Sequence, residues 1–66
     1  MEVTWYCCKW CGWDGWCYEE SSPNEWAWNG CGIDANEEHQ DGPHKWKFKG
    51  KWHVDEAPDE DLYIGE

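Results

Sequence analysis

Five cysteines in 66 residues, short runs of aromatic and β-branched residues, and no sustained helical period together predict a small metal-stabilised β-rich domain with long loops. A chain of this size buries only about 60% of its unfolded surface, so a core alone is marginal and a staple is expected. Aliphatic side chains are scarce: one leucine, two isoleucines and two valines. An odd number of cysteines excludes a complete set of intramolecular disulfides. The opening Met1–Trp5 has neither the basic nor the apolar region of a secretory signal, and no window approaches the roughly 20 apolar residues of a bilayer span. A reducing, cytoplasmic setting is therefore expected, and there cysteines at close spacing bind metal more often than they pair.

The elements follow in order. Val3–Cys7 and Trp16–Tyr18 carry the residue types of strands. Glu19 to Asn24 is a polar loop. Trp26-Ala27-Trp28 alternates large and small before Asn29-Gly30, a hairpin-type dipeptide. Asp34 to Pro43 reads as a second loop. The run from His44 to Val54 has a period of two, with Trp46, Phe48, Trp52 and Val54 on one face and Lys45, Lys47, Lys49, Lys51 and His53 on the other. It predicts a half-buried strand or tight hairpin, with Gly50 at a bulge or turn. Residues 1–54 form the expected domain, and residues 55–66 an acidic C-terminal tail. The tail is read first as solvated, and alternatively as folding back with its acids on the lysine face and Leu62 to Ile64 as an edge strand.

Charge narrows the function classes. The formal charge is −10, with no arginine. Lys45, Lys47, Lys49 and Lys51 make residues 44–54 basic, whereas the flanking segments are acidic. Such a field repels a polyanion, which argues against direct nucleic-acid binding and for a protein partner with a basic surface. No phosphate-binding loop or nucleophile elbow occurs, so an enzyme is not expected.

A C-x-x-C turn can aim two sulfurs at one ion at about 2.3 Å, and a glycine after the second cysteine relieves the tight turn. Tyr6-Cys7-Cys8-Lys9-Trp10-Cys11-Gly12-Trp13-Asp14-Gly15 has this pattern. It resembles the first knuckle of zinc ribbons and rubredoxins. The resemblance implies zinc-ribbon-like β-hairpins with Cys8 and Cys11 as ligands of Zn2+. The second knuckle is degenerate: Trp28-Asn29-Gly30-Cys31-Gly32 keeps only Cys31. For the fourth ligand, His39 is placed first, ahead of Cys17, His44 and Asp34. Cys7 neighbours Cys8 on a strand and should face the other way. A hairpin turning at residues 8–11 sets Cys7 opposite residues 12–14 and Cys17 opposite residues 2–4, which disfavours a Cys7–Cys17 disulfide.

Eight tryptophans cannot all lie inside so small a chain, and roughly five are expected in the core. Trp10 at the knuckle tip, with Trp13 and Trp16 flanking a turn, are the candidate partner-binding anchors. The resulting expectation is a monomeric or weakly associating, non-catalytic interaction module. Its small, acidic, oddly composed chain is similar in style to virus-encoded inhibitors or regulators of host proteins. Two alternatives stand beside it: an acidic nucleic-acid mimic that blocks a DNA- or RNA-binding protein, and a rubredoxin-like electron carrier.

Overall fold

The computed structural model describes residues 1–32 and 38–65. Its frame is a three-stranded antiparallel sheet of β1 (Glu2–Cys8), β2 (Asp14–Tyr18) and β3 (Trp46–His53), in the order β2-β1-β3. The first strand is thus the central one. The β1–β2 register pairs Cys7 with Asp14 and Thr4 with Cys17. Cys7 and Cys17 are therefore kept apart as the hairpin geometry requires, and all five cysteines are free thiols. Among the described residues, no helix is long and apolar enough to cross a membrane.

Gly50 does lie at a bulge, and the bulge overturns part of the expected face pattern. Trp5 pairs with Gly50 but Tyr6 with Phe48, so Lys49 is the extra residue and the phase of β3 reverses there. Trp52 shares a face with Val3, Trp5, Trp16 and Tyr18, while Trp46 and Phe48 share the other with Thr4, Tyr6, Cys8 and Cys17. The strand is consequently not half-buried along one stripe: Phe48 is 65% exposed and Trp52 is also exposed.

Both faces of the sheet contribute to the core. Val3 and Trp16 are buried on one, Thr4, Cys8 and Cys17 on the other. The segment after Asn24 does not form the expected hairpin. A short 3₁₀ turn, Ala27–Asn29, stands there, with Trp28 and Asn29 in the left-handed region. Of the two readings of the C-terminal stretch, the structure has the chain folded back, along β2 rather than over the lysines. Ile64 donates its N–H to the Trp16 carbonyl at 2.8 Å and is buried. Trp16 Nε1 in turn donates to the Asp59 carbonyl at 2.7 Å. The lysine partners are Asp14 for Lys49 and Glu19 for Lys51. These pairs are exposed, and each is worth at most about 1 kcal/mol.

Trp16 is the one tryptophan inside the core, at 2% exposure. Trp13, Trp26, Trp28 and Trp52 are all exposed, so the core takes far fewer indoles than composition suggested. The other buried cluster is built on Cys8 and Cys31, with Trp10, Cys11 and Trp46 packed against it.

Candidate metal centre

The β1–β2 connection is a knuckle. The Cys8 N–H donates to the Trp13 carbonyl at 2.8 Å, and the Gly12 N–H to the Cys8 carbonyl at 3.0 Å. Gly12 takes φ +74 with no atom near the place of a Cβ, so conformation rather than space selects glycine there. This turn sets Cys8 and Cys11 at one end of the sheet.

Two further segments reach the same place. Cys31 donates its N–H to the Gly42 carbonyl at 2.8 Å and accepts from the Asp41 N–H at 2.6 Å. Gly30, at φ +89, presses against the Gly42 carbonyl where a Cβ would collide. The loop is thereby clasped just ahead of β3, and His44 donates its N–H to the Glu25 carbonyl at 2.7 Å.

The result is a Cys3His group: the ligand atoms of Cys8, Cys11, Cys31 and His44 lie within 4.8 Å of one another. The Cys8 and Cys31 sulfurs are 3.5 Å apart. His44 Nδ1 lies 3.2 Å from the Cys31 sulfur and 3.5 Å from that of Cys11. A tetrahedron around zinc, with bonds of about 2.3 Å to sulfur and about 2.0–2.1 Å to nitrogen, has edges of about 3.8 and 3.6 Å. These three separations come within a few tenths of an ångström of that size. Cys8, Cys31 and His44 are buried, and Cys11 is half-buried.

The second nitrogen of His44 fixes the ring. Nε2 is 2.8 Å from the Ala27 carbonyl, which can only accept, so Nε2 carries the proton. This leaves Nδ1 as the ring nitrogen that faces the cluster, the arrangement usual for a ligating histidine. Trp46 stacks on this ring at 4.6 Å, and Trp28 meets it edge-on at 5.7 Å.

Without a cation the three thiols divide their protons unequally. Burial works to raise Cys8, but backbone N–H groups, led by that of Cys11, outweigh it and bring the thiol down to about 6. Burial, reinforced by hydrogen bonds to Cys8 and Cys11, pushes Cys31 up to about 12. Burial also raises Cys11. Of the three thiols, Cys8 is thus the most readily ionised.

Of the residues expected at the centre, Cys8, Cys11 and Cys31 are brought together. His44 stands where His39 was expected, and His39 instead stacks flat on Trp10 at 3.8 Å. Cys17 is buried elsewhere, its sulfur 3.5 Å from the Ser21 carbonyl. Asp34 lies outside the described residues. The expected anchors also divide. Trp13 is 49% exposed, Trp10 is half-buried against the cluster, and Trp16 is interior and presents nothing to a partner. Sequence did carry a signal for His44: it opens the period-two run in phase with Trp46, on the apolar side. Nothing in the sequence singled out Trp28 as an exposed residue. No protein-family description matches this chain, nor does any curated protein or solved structure.

Proposed function

We propose that the protein is a non-catalytic interaction module, in which a structural zinc ion on Cys8, Cys11, Cys31 and His44 fixes the loops that display tryptophan to a protein partner with a basic surface. The observation that carries this reading is the closed Cys3His group. Four protein donors complete a tetrahedral shell and leave no position for a substrate or a catalytic water. Thiolate with imidazole suits zinc. A rubredoxin-like iron site needs four thiolates, which the histidine argues against. The net charge of −10 favours a basic partner and speeds its encounter, and exposed indoles supply the anchors that hold it. Occupying a partner in this way makes the module an inhibitor or regulator.

Cobalt substitution combined with partner capture tests the proposal. Co2+ titrated into metal-free protein should give tetrahedral ligand-field bands and sulfur charge-transfer absorption that saturate near one equivalent, and Zn2+ should bleach them. His44→Ala should alter the bands while the Cys17→Ala protein keeps them. Immobilised zinc protein should retain a basic partner that Trp13→Ala releases. Octahedral cobalt spectra, or retention insensitive to both the metal and Trp13→Ala, would remove the basis for the proposal.

A further inference from the structure

Close to the centre, Trp13, Trp28, Gly30, Gly32, Asp61 and Leu62 line a groove of about 380 Å³. Its walls are two indoles with centroids 6.2 Å apart and planes inclined at 55°. Both are open to solvent, at 49% and 41%. We infer that this groove binds a lysine side chain of the basic partner, its ammonium seated at the open side of the inclined Trp13–Trp28 pair and beside Asp61.

Three features argue for a cation rather than a neutral occupant. An ammonium is attracted to an indole when it lies within about 6 Å of the ring centroid, and a point about 3.3 Å off the line joining these two centroids is about 4.5 Å from both. Among the described residues, the ionisable residue in the lining is an aspartate. All five lysines of the chain, at positions 9, 45, 47, 49 and 51, lie outside the lining, so the groove is electrostatically unopposed within a chain of charge −10.

The walls are also held in place. Trp28 takes a left-handed backbone conformation, φ 57 and ψ 31, which is costly for a bulky residue and persists only where its surroundings enforce it. Its ring is fixed from three sides. Nε1 donates to the Asp61 carbonyl at 3.0 Å, and the ring lies edge-on to His44 at 5.7 Å and to Trp46 at 6.0 Å. One side of this indole thus supports a metal-ligand candidate while the other walls the groove. Pre-set walls reduce the ordering cost of binding.

The inference rests on the zinc-module reading, and the experiment separates the two. Zinc-loaded full-length protein, labelled with 15N, is titrated with three peptides of identical glycine-serine flanks. Their central residue is lysine, trimethyllysine, or the neutral tert-butyl isostere of trimethyllysine. Both cationic peptides should shift the indole N–H resonances of Trp13 and Trp28, and the neutral one should bind about tenfold more weakly. Asp61→Asn should weaken lysine binding several-fold. Gly32→Leu, at a lining position where an added Cβ meets nothing within 4 Å, should block it while leaving the rest of the spectrum folded. Equal binding of the neutral isostere, movement of the same two resonances by chitotriose instead of the cations, or a folded zinc-loaded spectrum without indole shifts at millimolar peptide overturns the groove and leaves the zinc reading standing. Lysine binding by a protein that stays folded after chelation supports the groove and removes the zinc reading.

Discussion

With an ion on the Cys3His group, chelation would open two long loop closures at once, and the structure gives their spans. Cys8 and Cys31 are 23 positions apart, and Cys31 and His44 are 13 apart. By the chain-entropy relation for a covalent bridge, carried over to a metal one, these closures are worth about 3.4 and about 2.9 kcal/mol, or about 6 kcal/mol together. A core in a chain this short rarely supplies more than about 3–5 kcal/mol. Among the described residues, the fully buried apolar side chains other than cysteine are few: Val3, Trp16 and Ile64. Removing the ion should therefore unfold the domain rather than loosen one end. The assay is near-UV circular dichroism, to which eight tryptophans give a strong signal, run alongside elemental analysis during titration with a strong chelator. The dichroism should collapse as zinc is withdrawn and return on adding one equivalent of Zn2+. An unchanged spectrum, in protein shown to be metal-free, refutes the claim that the ion supplies the missing stability.

Proton release gives a second check on the same coupling. Ligating thiols must be deprotonated, so affinity rises with pH. If the metal-free chain is unfolded, its three thiols have ordinary values above neutrality, and about three protons should leave per zinc bound at pH 7. A preformed site would release only about two, because Cys8 is already lowered to about 6 there. Calorimetry in buffers of different ionisation enthalpy counts them, and three is the expected result. Trp16→Ala should cost about 3–5 kcal/mol in urea denaturation, since it empties a buried site and orphans the Asp59 contact. Trp13→Ala should change stability by less than about 0.5 kcal/mol, as a surface substitution. Gly15→Ala sets a Cβ 2.7 Å from the Ile64 side chain, and should cost about 1–3 kcal/mol and increase hydrogen exchange at the Ile64 amide.

Sequence revealed the local parts of this molecule and not the joints between them. The β1–β2 hairpin and its knuckle were legible because strand-forming residues, C-x-x-C and Gly12 act over about a dozen positions. The bulge was legible as a glycine in a strand. Its effect was not, because whether one extra residue reverses the faces depends on pairing with β1, which lies at the other end of the chain. The fourth donor illustrates the same limit. His39 and His44 are similar by spacing alone, and the choice is made by the clasp between Cys31 and Gly42 and by the Ala27 carbonyl behind the ring. Trp16 was misassigned for a comparable reason. Its burial comes from the return of the chain along β2 near Ile64, and neither partner announces the other.

The central position of β1 has a consequence for synthesis. The strand leaves the ribosome first, pairs early with β2, and then keeps one edge bare until β3 has been translated. At about 5–20 residues per second, that delay is on the order of several seconds. Over that time a nascent chain carries an unfilled sheet edge and the Cys8 and Cys11 thiols, while His44 has yet to be added. For that interval the newborn polypeptide offers the edge of its longest-waiting strand, β1, to neighbouring chains, and its first two thiols to oxidants, before β3 and His44 arrive to cover them.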